Sequence, residues 1–98
     1  MATRVKYRTL DGEQDYGFSF ETQSDGSYRA YITDMPSYGN RDTRLVTTHR
    51  LKEEDRYYVC WTQPLYNQED LSKVVALWAD STQEYIKTGR TIDEQMRG

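Results

Sequence analysis

Polar and apolar residues alternate across residues 3–61. Val5, Tyr7 and Thr9 interleave with Arg4, Lys6 and Arg8, the period of two expected of a strand with one buried face. Asp11-Gly12 then offers a two-residue type I′ hairpin turn. That turn pairs Thr9 with Gln14, Tyr7 with Tyr16 and Val5 with Phe18 on one face, and Arg8 with Asp15 on the other.

The second turn is decided by the same test. A two-residue Asp25-Gly26 loop would mix the faces, setting Phe20 opposite Tyr31. A three-residue loop, Ser24-Asp25-Gly26, pairs Thr22 with Tyr28, Phe20 with Ala30 and Phe18 with Ile32, and sets Glu21 against Arg29 on the reverse side. Residues 34–43 read as a loop. The next strand is expected over residues 44–51, followed by a charged turn over 52–56 and a strand at Tyr57-Tyr58-Val59-Cys60-Trp61, rich in aromatic residues. The register of this second hairpin stays open: a four-residue loop sets Val46 against Trp61, a five-residue loop sets Thr47 there.

After Pro64 the period changes. Leu71, Val74, Val75, Trp78, Thr82, Tyr85 and Ile86 form a helical stripe, predicting a helix over roughly 68–88. Asn67 or Asp70 is its N-terminal cap and Gly89 its C-terminal one. Lys73, Asp80, Gln83, Glu84 and Lys87 are expected on the opposite, solvent side. Residues 1–90 thus read as one α+β domain, with residues 91–98 as a flexible, fraying tail. The architecture is a mainly antiparallel sheet of about five strands, beginning with a three-stranded meander, and one C-terminal helix packed on its apolar face.

Composition narrows the function classes. The chain has 98 residues, the size of a single small domain. Thirteen Lys and Arg against sixteen Asp and Glu give a net charge of -3. That is too mild for an acidic mimic of DNA and lacks the basic excess of a duplex binder. One cysteine allows no internal disulfide, and residues 1–8 hold no apolar run of the kind a signal peptide carries, so a reducing, cytoplasmic setting is expected. The longest apolar run, residues 74–79, is far too short to span a membrane.

Candidate chemistry is sparse. No phosphate loop, dinucleotide fingerprint or metal-ligand spacing is present, so no cofactor or metal is expected. Cys60 and His49 are the residue types of a nucleophile and its base, and the four-residue loop would put them on one face. The stronger reading of each is structural, a small strand hydrophobe and a strand surface residue. The polar sheet face carries Arg4, Lys6, Arg8, Asp15, Gly17, Ser19, Glu21, Arg29 and Tyr31. Together with Tyr38 and Arg41 of the 34–43 loop, its Arg4, Lys6, Arg8, Arg29 and Tyr31 are the expected recognition residues. The function expected is a small non-catalytic binding or regulatory module. A protein partner is favoured over nucleic acid because the net charge is negative. The alternatives are a single-strand nucleic-acid binder using the same cations with Tyr31, and a small enzyme using Cys60 and His49.

Overall fold

The computed structural model describes residues 2–97; Met1 and Gly98, the outermost residues of the expected domain and tail, lie outside them. Eight elements follow one another: β1 (Ala2–Arg8), β2 (Asp15–Thr22), β3 (Tyr28–Asp34), α1 (Leu45–Thr48), β4 (Arg50–Glu53), β5 (Arg56–Val59), α2 (Gln68–Thr88) and α3 (Ile92–Met96). The strands form one antiparallel sheet in the order β1-β2-β3-β5-β4. After β3 the chain crosses to the far edge, lays down β4, and returns through a hairpin so that β5 sits beside β3.

Both N-terminal registers agree with the alternation. Tyr7 pairs with Tyr16, Val5 with Phe18 and Arg8 with Asp15. Phe18 pairs with Ile32, Phe20 with Ala30 and Thr22 with Tyr28, across the three-residue turn in which Gly26 takes φ 87°. The first turn keeps its register by other means than expected. Gly12 alone has positive φ, its N–H donates to the Thr9 carbonyl at 2.8 Å, and the Asp11 carboxylate accepts from Thr9 Oγ1 and the Glu13 N–H. A bonded Thr9–Gln14 pair closes this four-residue loop, which preserves the pairing a two-residue loop would impose.

The second hairpin departs from expectation. Residues 44–51 divide into a single helical turn, α1, and the start of β4, with His49 left-handed at φ 52° between them. The turn shortens to Glu54-Asp55, pairing Glu53 with Arg56 and Leu51 with Tyr58; neither expected partner for Trp61 forms. Glu54 accepts φ 55° to close it.

α2 covers the inner sheet face. Asn67 caps it, its side chain accepting from the Asp70 N–H at 2.8 Å, and Gly89 ends it at φ 82°. Trp78 is 1% exposed and meets Tyr16 and Phe18 edge-on, at centroid distances of 6.1 and 6.0 Å. Two residues expected on the solvent side of α2 face the first hairpin instead. Asp80 accepts from the Tyr7 hydroxyl at 2.6 Å and the Leu10 N–H at 2.9 Å, and Gln83 accepts from the buried Tyr16 hydroxyl at 3.1 Å. Lys87 continues this polar seam to Asp11 and Glu13. The expected tail is also corrected. Thr91 and Glu94 form a reciprocal capping box that starts α3, and Ile92 is buried in the core against which the sheet and α2 pack.

Candidate partner-binding face

The outer sheet face divides into a closed half and an open half. On the closed half, Arg29 bonds to the Tyr31 hydroxyl at 3.1 Å and to Glu53 at 3.0 Å, and its guanidinium lies 4.3 Å from the centre of the Tyr58 ring. Arg56 pairs with Glu21 and stacks on the opposite partner of this group, 3.6 Å from the Tyr31 ring centre. Tyr31 and Tyr58 themselves are cross-strand neighbours with centroids 5.4 Å apart. The carboxyls respond to their partners. Arg56 holds Glu21 below the usual carboxylate range, and Arg29, followed by Tyr31, does the same for Glu53.

Glu21 stands opposite Arg29 in the β2–β3 register as expected, but the ion pairs formed are Glu21–Arg56 and Arg29–Glu53. The reason is the shortened hairpin, which puts Arg56, Tyr58 and Glu53 on the same face as Tyr31. Sequence reasoning missed Glu53 and Arg56 because residues 52–56 read as one charged turn, and Tyr58 because the register of its hairpin stayed open. A two-residue Glu54-Asp55 turn would have brought them in. Tyr31, expected as a stacking surface, is only 3% exposed.

The open half lies on β1. Arg8 is spoken for, bonded to Asp15 at 3.0 Å and to the Gly12 carbonyl at 2.9 Å. Arg4 and Lys6 are exposed and, among the described residues, neither side chain has an ion-pair or hydrogen-bond partner. They border a shallow groove of about 250 Å³, with Gly17 between them and Thr33 and Asp34. Gly17 is required there: a Cβ would stand 2.8 Å from Thr33 Oγ1, at the irregularity where the β2–β3 register shifts.

The 34–43 loop is on the other side of the sheet, docked against α2, so Tyr38 and Arg41 do not extend this face. The Tyr38 ring meets Tyr85, and the Arg50 guanidinium lies between the Tyr38 and Tyr57 rings, 4.9 and 4.2 Å from their centres. Arg41 donates to the Ile86 carbonyl at 3.3 Å, and its guanidinium fills the space left by the missing side chain of Gly89. Tyr85 donates to the Asp42 carbonyl at 2.7 Å, and Arg50 to the Thr43 carbonyl at 2.8 Å.

His49 and Cys60 share a cleft of about 420 Å³ with Asp93 and the exposed apolar side chains Leu45, Val46 and Leu51. His49 Nε2 lies 2.7 Å from Asp93 Oδ1, and the Cys60 N–H donates to the His49 carbonyl at 2.9 Å. No hydrogen bond joins the Cys60 thiol to the His49 ring. Among the described residues no cluster of three His, Cys, Asp or Glu side chains could hold a metal ion, and no helix is long and apolar enough to cross a membrane. Comparison with protein-family models, with curated proteins and with solved structures returns no match.

Proposed function

We propose that the chain is a small non-catalytic binding module, at home in a reducing cytoplasm, that takes an acidic protein partner on the β1 side of its outer sheet face. One observation carries this reading. Among the described residues every other arginine on that face is held by a carboxylate, whereas Arg4 and Lys6 stand exposed without an ion-pair partner on a chain that is acidic overall. Unneutralised cations at the margin of an otherwise satisfied surface attract and orient an acidic partner. A single-strand nucleic-acid binder needs an exposed ring for base stacking, and Tyr31 is buried under Arg56.

The test compares the wild-type chain with the Arg4→Ala/Lys6→Ala variant, using a glutamate-rich peptide and a single-stranded oligonucleotide as probes. The reading expects salt-sensitive peptide binding, with association slowed in the variant. It fails if the peptide does not bind, if the variant binds it equally well, or if the oligonucleotide binds more tightly.

A second reading, a small enzyme using Cys60 and His49, is favoured by their shared cleft and by the Asp93 carboxylate on the imidazole. Alkylation of Cys60 at neutral pH separates the two. An activated thiol reacts much faster than a free cysteine and slows in His49→Ala; a structural one does neither.

A further inference from the structure

β1 is an outermost strand of the sheet, seven residues long, and no described element pairs with its free edge. The alternation of an antiparallel ladder tells which backbone groups that edge presents. The Thr9 N–H points inward, donating to the Gln14 carbonyl at 2.9 Å, and the β1–β2 register runs without a shift from there to Ala2. Thr9, Tyr7, Val5 and Thr3 therefore bond to β2. The N–H and C=O groups of Arg8, Lys6 and Arg4 face outward along the rim.

These are the same residues whose side chains stand on the outer face. Each of the three positions thus offers a free backbone donor and a free backbone acceptor, and Arg4 and Lys6 add a cation each, the Arg8 charge being held by Asp15. On the other face the interleaved residues are Thr3, Val5 and Tyr7, with Val5 and Tyr7 half-buried and packed against the core. The far edge of the sheet is a poorer template: β4 has four residues, and α1 adjoins it.

We propose that the acidic partner is bound by strand addition: an extended segment of another protein pairs with β1 as a sixth strand. This rests on the binding reading given above and names its occupant. The segment carries Glu or Asp at alternate positions, beside Arg4 and Lys6, with apolar or β-branched residues between them on the side of Val5 and Tyr7. The same cations turn away a second copy of this chain. Two β1 strands brought edge to edge would set Arg4, Lys6 and Arg8 against their own kind, and like charges directly opposed disfavour pairing. The edge is thereby protected from self-association while it remains open to a strand of opposite charge.

The experiment uses the whole chain and an alternating Glu-Val peptide matched in length to the seven residues of β1. Amide hydrogen exchange is followed at Arg4, Lys6 and Arg8, and affinity is compared among the wild type, Lys6→Ala and Lys6→Pro. Proline removes an N–H that the fold does not use, so an edge strand tolerates it; circular dichroism verifies that this variant is folded. Strand addition expects the peptide to slow exchange at all three amides. Lys6→Ala should weaken binding about two- to fivefold, through the lost charge pair. Lys6→Pro should weaken it about tenfold more, through the lost backbone bond. Binding without amide protection, with Lys6→Pro equal to Lys6→Ala, overturns strand addition and leaves the basic-face reading standing. So does binding of an irregular glutamate-rich peptide when the alternating one fails. If neither peptide binds, both proposals fall. Should Lys6→Pro not fold, the wild-type exchange pattern decides alone.

Discussion

The indole Nε1 of Trp78, at the middle of α2, donates to the backbone carbonyl of Thr48 at 3.1 Å. The bond ties the central helix to the end of α1, where the chain turns left-handed at His49 before entering β4. The same ring fills the core between Tyr16 and Phe18. Trp78 therefore has two separable roles. Trp78→Ala should lose about 3–5 kcal/mol of stability through the cavity it leaves. Trp78→Phe retains much of the packing but strands the Thr48 carbonyl, and should lose about 1–2 kcal/mol. Denaturant unfolding of the two variants measures both; a Trp78→Ala midpoint near that of the wild type would contradict the placement.

That bond also explains why α1 was not legible in the sequence. Leu45-Val46-Thr47-Thr48 is rich in β-branched residues and reads as strand. The local preference is overridden by side-chain hydrogen bonds from neighbouring polar residues together with one from the distant Trp78. Asp42 accepts from the Arg44 N–H and Thr47 Oγ1, Arg50 Nε donates to Thr48 Oγ1, and Trp78 takes the Thr48 carbonyl. Only Trp78, 30 residues from Thr48, lies beyond a short window of the chain; Asp42 and Arg50 are local partners. The first two hairpins were legible because each has one buried face, so a slip by one residue would expose every aromatic on it. α3 is a different case. Its signature, Thr91-x-x-Glu94 around the apolar Ile92, stands in the sequence, but the polar composition of residues 90–98 outweighed it. For the binding face, the cationic strand was legible. Which cations would find internal partners depended on the second hairpin, whose register the sequence left open.

Gly89 and Arg41 form a second coupled pair. Gly89 ends α2 with φ 82°, which an L side chain adopts only at a cost, and a Cβ there would stand 2.9 Å from Arg41 Nη1. Gly89→Ala should destabilise the protein by about 1–2 kcal/mol from the backbone alone, with a further loss from displacing the guanidinium. In an Arg41→Ala background the added cost of Gly89→Ala should shrink toward the backbone component. Equal costs in both backgrounds would mean that Arg41 gives way freely.

Alkaline unfolding should report the Tyr7–Asp80 hydrogen bond that joins β1 to α2. That bond, then burial, then the nearby Asp80 charge push the Tyr7 hydroxyl up to about 12, from an ordinary value of 10.0. The folded value is raised, so the linked stability is fully present below pH 10 and is lost as pH rises towards 12. Tyr7→Phe lacks this contribution at every pH. The stability difference between wild type and Tyr7→Phe should therefore be constant at neutral pH and decline across that alkaline window. Subtracting the variant removes the titration of the other tyrosines. A difference that stays flat through the window would dissociate Tyr7 from Asp80.

The two halves of the outer face should separate stability from recognition. Tyr31 lies among Arg56, Tyr58, Arg29 and Glu53 and is closed to solvent, so Tyr31→Ala removes the centre of that group. The loss should be on the order of 2–4 kcal/mol, near the range for large-to-small changes at buried sites. The exposed ion pairs around it contribute little, being screened by solvent, so Glu53→Gln should cost far less than Tyr31→Ala. Measured on the folded fraction, Tyr31→Ala should bind a glutamate-rich peptide as the wild type does, because its contacts serve the sheet itself. Arg4→Ala/Lys6→Ala should show the reverse: an unchanged melting temperature, since neither side chain has a partner among the described residues, and weakened, less salt-sensitive binding. Thermal melts and peptide titrations on both variants make the comparison. If Tyr31→Ala loses peptide affinity while remaining folded, the closed half of the face takes part in recognition and the division between the halves is wrong.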